Sequence, residues 1–466
     1  MNVRSLFLTS LVSLVAACGV SGGANDAAIG AKDASVPDVG SSASVASAKA
    51  IAVGASYTCA VLDDNSVKCW GDNEYAQLGL GHTSNRGGAA NEMGDQLSKV
   101  ELGTGHSTKA LATGRVHACA ILDDDSVKCW GSNYAGQLGV GRNLLGDDAR
   151  EMGDALSNVS LGTGRTAKAI TTGGSHTCAI LDDDSVKCWG SNYAGQLGLG
   201  DTLFRGHEGK EMGDNLPNVP LGTGRTAKAI TAGESHTCAI LDDNSVKCWG
   251  SGFHGQVGQG DRSHRGDDAG EMGDALSNVS LGTGRTAKAI TAGKDHTCAL
   301  LDDNRVKCWG DNQYGQLGQG DTSDRGGDAN EMGDQLLKVD LGSDRTAKAL
   351  EAGSSSSHTC AILDDNSVKC WGCNFTGQLG LGDRNHRGDG ADEMGNRLSE
   401  ISIGTARTAK ALARGNAHTC AILDDNSVKC WGANTLGQLG QGDTSDRGGE
   451  ANQMGDQLPT IDLGTK

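Results

Sequence analysis

HTCAILDDDSVKCWGSNYAGQLGLGD, running from His176 to Asp201, decides the fold. Two strand-like runs, HTCAIL and SVKCWG, flank an Asp-Asp-Asp turn whose residues tolerate left-handed backbone, which predicts a β-hairpin. The segment recurs along the chain, its first cysteines falling at 59, 119, 178, 238, 298, 360 and 420, spaced by 60, 59, 60, 60, 62 and 60. A fixed period of this length marks a repeat architecture, so residues 49–466 read as one repeat domain rather than several unrelated ones. An upstream TAKAI segment and a downstream VxLG segment supply two further candidate strands. Seven units of four short antiparallel strands are the content of an all-β, seven-bladed β-propeller. A superhelical solenoid would carry distinct capping repeats, whereas the first and last units here are nearly standard. The repeats begin part-way into a unit at Lys49 and stop at Leu463-Gly464, so the two ends can complete one blade between them.

Composition agrees with many short strands joined by tight turns. Glycine accounts for 72 of 466 residues and proline for 4, with no glycine triplet that would indicate collagen. Lys+Arg 40 against Asp+Glu 58 gives a net charge of −18, which argues against a nonspecific nucleic-acid binder.

The pattern HTCAIL…VKCWGxNxxGQLGxGD resembles the repeat of the regulator of chromosome condensation family, over residues 49–466. The resemblance implies a seven-bladed propeller. Two features depart from the family's eukaryotic members: a cysteine pair in every unit and an EMGDxLxxVxLGTG-like extension. The family's nuclear exchange activity depends on a wedge inserted in one blade, and the near-equal spacing here leaves no room for one.

Residue types present in every unit are poor candidates for a single active site, because seven rotated copies cannot make an asymmetric constellation. His117, His176, His236, His296, His358 and His418 share one position, which Tyr57 fills in the first unit; they read as packing and hydrogen-bonding residues. The seven tryptophans read as blade core, and Met93 and its six counterparts as anchors of the return segment. No catalytic residues, metal or cofactor are assigned.

With the middle Asp183 at the hairpin centre, Ile180 faces Val186 and Cys178 faces Cys188, within disulfide reach. An exported protein permits such bonds, so the expected pairs are Cys59–Cys69, Cys119–Cys129, Cys178–Cys188, Cys238–Cys248, Cys298–Cys308, Cys360–Cys370 and Cys420–Cys430. Closing each short loop contributes ~2–3 kcal/mol in the chain-entropy model. Reduced core cysteines are the alternative. Cys373 has no opposed partner, and reads as an exposed thiol or an intermolecular link.

The informative positions are those where units differ. After each Trp-Gly the loop reads DNEY, SNYA, SNYA, SGFH, DNQY, CNFT or ANTL. Tyr75, Tyr134, Tyr193, Phe253, Tyr314 and Phe375, with Leu436 in the seventh unit, form a candidate ligand-binding rim on one face. Packing of each ring against the neighbouring blade is the competing reading. Calcium at the Asp-rich turns stays open, without EF-hand spacing. A polysaccharide-acting enzyme would need a non-repeating acid/base pair, for which only Glu74, His254 and scattered aspartates offer themselves.

At the N-terminus, Arg4 and the apolar run from Leu6 to Ala17 read as a secretory signal too short to span a bilayer. Val15-Ala16-Ala17-Cys18 resembles a bacterial lipobox, with residues 1–17 removed and Cys18 lipidated; ordinary signal cleavage is the alternative. The absence of aspartate after Cys18 points to the outer membrane. The Ser/Ala/Gly-rich remainder of 18–48 reads as a flexible tether. The combined expectation is a monomeric, lipid-anchored, non-enzymatic envelope propeller that binds a protein or glycan but no nucleic acid. A structural envelope component without a ligand is the alternative.

Overall fold

The structure is a computed structural model and describes residues 45–141 and 144–466. Cys18, the signal segment and the tether up to residue 44 lie outside the described residues.

Seven antiparallel sheets follow one another in the chain, six of three strands and one of four. Blade three is typical: an innermost strand Ala167–Thr172, a middle strand His176–Leu181 and an outer strand Val186–Gly190. The hairpin forms as it does because its third turn residue takes a left-handed backbone, which Asn and Asp tolerate: Asp184 has φ 64° and Asn65 has the same. Ile180 pairs with Val186 and Cys178 with Cys188. That pair has Cα atoms 4.1 Å apart and is bonded, as are its six counterparts.

The expected fourth strand is the main correction. The VxLG segment does not join the sheet: Val159 donates one hydrogen bond to Val127 O at 2.8 Å and the chain then turns away at Gly162. The fourth position is held instead by the Arg of the RGG-type loops, through a single bridge such as Gly190 with Arg205. Only in blade two, where Leu145 replaces that arginine, do Leu144–Leu145 form a short strand.

A buried hydrogen-bond relay joins the blades. Thr177 Oγ1 donates to Gln137 O at 2.9 Å, so its 3.0 Å contact with His117 Nε2 has the imidazole as donor. The same bond runs from each following histidine to the threonine of the next blade, ending with His418 and Thr58. One border differs. Blade two carries Ala118 where the others have threonine, and there Tyr57 replaces histidine and donates to His117 O at 2.5 Å. Each tryptophan indole also donates to a glutamine carbonyl of the preceding blade, as Trp189 does to Gln137 O at 2.9 Å. Gly139, at φ 70°, keeps this border close: a Cβ there would lie 2.9 Å from Met212 Cε and 3.0 Å from Trp189 Nε1.

The ring closes between blades seven and one. Val45 bridges Thr465, Ala46 donates to Gly464 O at 2.8 Å, and Gly94 donates to Asp462 O at 3.1 Å. The last bond is the one Gly213 makes to Ser160 at another border. The propeller therefore takes in Val45–Ala48, four residues that the sequence assigned to the tether. No helix of the described residues is long and apolar enough to cross a membrane.

Candidate binding face and axial channel

Tyr57 pairs with Gly71, so the turn after each innermost strand and the loop after each Trp-Gly emerge on the same face. This loop face carries the residues that differ between blades. The opposite face carries the Asp-Asp-Asn/Asp hairpins, which are nearly identical.

The seven rim residues do not share one environment. In blades two, three, four and six the aromatic is the third residue of its loop, and Tyr134, Tyr193, Phe253 and Phe375 are 68%, 60%, 66% and 58% exposed. In blades one, five and seven the apolar residue is the fourth, and Tyr75, Tyr314 and Leu436 are half-buried. The two positions meet across borders: Tyr75 lies edge-on to Tyr134 with centroids 6.3 Å apart, and Tyr314 to Phe375 at 5.5 Å. Tyr193 is tied by its hydroxyl to Ser235 of blade four. Sequence reasoning missed Leu203 and Phe204, which stand in the blade-three loop where, Leu144 of blade two apart, the other blades carry polar residues; both are exposed. Phe204 stacks on His207 at 6.2 Å.

Charged groups sit inside this rim. Adjacent turns are linked by backbone bonds, such as Glu234 N to Lys294 O at 3.0 Å and Asn416 N to Ala55 O at 3.1 Å. The Glu234 side chain crosses the axis end of blade three, accepting from Arg115 Nη1 and from Ser355 Oγ, both at 3.4 Å. Gly174 makes this possible, since a Cβ there would lie 2.6 Å from Glu234 Cδ. Burial pushes the Glu234 carboxyl above its usual range. Between blades four and five, His254 Nδ1 lies 3.1 Å from Asp324 Oδ2, with Arg262 Nη1 at 3.3 Å from the same oxygen. The hydrogen bond to Asp324 raises the His254 pKa. Asp311 lies close by, but Asp324 already balances His254 and Arg262, and this group reads as a local ion network. Glu74 is exposed and stands apart from it on blade one, its backbone N–H donating to Asp72 Oδ1 at 3.2 Å.

Cys373 is not an exposed thiol. It is buried, with Gln378 Nε2 at 3.5 Å from its sulfur, so neither reading made from the sequence fits its position. Burial raises its pKa.

The innermost strands enclose an axial cavity of about 120 Å³. Most of its lining is Ile, Leu, Ala and Thr, and its two charged residues are Glu351 of blade six and Arg414 of blade seven.

Comparison with known proteins places this geometry. The Ultraviolet-B receptor UVR8 of Arabidopsis thaliana is 29% identical over 405 residues, covering 85% of this chain and 79% of that protein. The E3 ubiquitin-protein ligase HERC2 of Homo sapiens is 25% identical over 384 residues, 81% of this chain but 7% of the ligase. Among solved structures, Prp20p of Saccharomyces cerevisiae matches with a TM-score of 0.61 at 18% identity over 84% of each chain. Human WBSCR16 matches with a TM-score of 0.61 at 18% identity, over 82% of this chain and 93% of that one. At that identity the two structures speak for the fold alone. The regulator of chromosome condensation (RCC1) repeat matches residues 48–77, and the RCC1-like domain matches residues 104–454. The chain belongs to the RCC1-like domain family.

Proposed function

We propose that this protein is a non-catalytic binding propeller of the bacterial envelope, held to the outer membrane by a lipid on Cys18, that captures a protein partner with its loop face. The observation that carries the reading is the apolar sector on blades two to four, where Tyr134, Tyr193, Phe253, Leu203 and Phe204 are all exposed. Aromatic side chains on a rigid rim offer contact area at low entropic cost. Aliphatic Leu203 beside the rings favours a protein partner over a glycan. The lipobox-like Val15-Ala16-Ala17-Cys18 supports the anchor.

Capture from envelope extract by residues 45–466 tests the reading. A stoichiometric protein lost on Tyr193→Ala and Phe253→Ala is the expected result. Capture unaffected by these changes, or no partner, would return the protein to a structural envelope role. For the anchor, Cys18→Ala should abolish fatty-acid labelling and release the protein from membranes; retention without labelling refutes it.

A further inference from the structure

The turns that follow the innermost strands surround the axis on the loop face, and their charges do not repeat. Arg115, Glu234 and Lys294 share one position in blades two, four and five, where blades one, three and seven carry Ala55, Gly174 and Asn416. A third cation, Arg262, reaches back over its own blade and donates to Phe253 O at 3.2 Å. Each cation has a more deeply set carboxylate beside it: Glu234 for Arg115, Asp295 for Lys294 and Asp324 for Arg262.

These pairs are uneven. The cationic side chains are 47–61% exposed and the three carboxylates only 21–22%. The contacts are long, at 3.4, 3.9 and 3.3 Å, against 2.6 Å for Arg205 with Asp201 in the blade-three loop. Arg115 bonds through Nη1 alone among the described residues, so its other N–H groups remain free to donate. Burial pushes the carboxyls of Glu234 and Asp295 above their usual range, as befits groups set below the surface. With screening over about 8 Å at physiological salt, an approaching partner meets the outermost charges first, and here those are positive.

The cations are continuous with the apolar sector. Tyr193 is tied by its hydroxyl to Ser235, the residue after Glu234, and Arg262 sits against the Phe253 backbone. Exposed Glu208 and Asp328 stand in the long outer loops, and the chain as a whole carries −18, so an extended polyanion is repelled. The complementary patch is therefore small, and it suits a short acidic segment.

Resting on the capture reading above, we propose that the partner docks through a protein loop that carries aspartate or glutamate beside apolar side chains. Its carboxylates would meet Arg115, Lys294 and Arg262, and its apolar groups would meet Tyr193 and Phe253.

Stopped-flow binding of a short dansyl-labelled peptide of alternating Asp and Leu to the whole protein tests this, with Asn-for-Asp and Lys-for-Asp versions as references. Expected is saturable binding in which the acidic peptide associates fastest and the basic one slowest, the difference shrinking as salt is raised. Arg115→Gln combined with Lys294→Gln should slow the acidic peptide about tenfold at low salt and leave the neutral one unchanged. Arg115→Lys, which keeps the charge, should retain most of the rate. Equal rates for the acidic and neutral peptides, preference for the basic one, or no saturable binding of the acidic one overturns the proposal. Tyr193→Ala separates this from the capture reading, because it should speed release of the acidic and neutral peptides alike. Equal association rates with release still sensitive to Tyr193 would leave aromatic capture standing and remove the acidic preference.

Discussion

The two faces of the propeller are built from the same seven units and differ in how far the units agree. On the hairpin face every blade repeats two aspartates followed by Asn or Asp, and from blade three on an arginine pairs with them, as Arg165 does with Asp182 at 3.0 Å. On the loop face, blade three offers Tyr193, Leu203 and Phe204 where blade five offers Gln313, Ser323 and Asp324. A residue that recurs seven times serves the ring, and a residue that occurs once is free to serve a ligand. Recognition is therefore expected on the loop face, and stability at the blade borders.

The sharpest way to break that division is acid. Burial depresses the pKa of His117, His176, His236, His296 and His418 to about 3, and holds that of His358 well below its usual value. A histidine with a depressed folded pKa contributes fully above its unfolded value near 6.5 and loses that contribution as pH falls toward 3. The loss is about 2 kcal/mol per histidine by pH 5, so the six together give the largest effect. Denaturant midpoints measured from pH 7.5 to 5 should fall steeply; a flat profile would mean the imidazoles are not buried as neutral donors.

Next in size is Trp189→Ala, which removes a fully buried indole and its bond to Gln137 O, and should cost ~3–5 kcal/mol by chemical denaturation. A smaller loss, ~1–3 kcal/mol, is expected for Gly174→Ala, because the new methyl displaces the Glu234 carboxylate from Arg115 and Ser355. Glu234→Ala combined with Gly174→Ala should recover only part of it, because the new methyl also meets the Glu234 carbonyl at 2.8 Å, and a double variant no more stable than Gly174→Ala would assign the whole loss to that backbone contact. The smallest stability effects should come from Tyr134→Ala and Phe253→Ala, within about 0.5 kcal/mol. The same changes should weaken partner capture by ~1–3 kcal/mol, and a reversal of these two outcomes would make the rim a packing feature.

Much of this was legible from spacing alone. Cysteines ten residues apart around a polar turn define the hairpin, its register and the seven blades, because side chains of directly opposed residues must face the same way. The VxLG segment misled because it alternates like a strand, whereas it meets the sheet only through Val159, and Ser160 O accepts instead from Gly213 N of the next border. Tyr57 was noticeable as the exception among the histidines, but its meaning rests on Ala118, sixty-one residues later, and only adjacency of the blades joins the two. Cys373 looked exposed because it replaces Ser, Asp or Ala in a loop and has no opposed partner, yet that loop position packs inward. Glu351 and Arg414 carried a signal, as the only charges in their columns of the repeat, but which strand faces the axis cannot be read from a period.

The tyrosine at the first border makes the ring's seven joints unequal toward protons. Six joints contain an imidazole that binds a proton once water reaches it; the joint between blades one and two has a phenol bonded to a carbonyl instead. Acid therefore pulls at every seam but one. A partly acid-opened molecule should keep blades one and two docked, with amides of Tyr57–Leu62 and His117–Leu122 the slowest to exchange with solvent near pH 4. The sevenfold ring would then come apart as a two-blade remnant and five looser units, and the substitution that looks like a lapse in the repeat would set where disassembly stops.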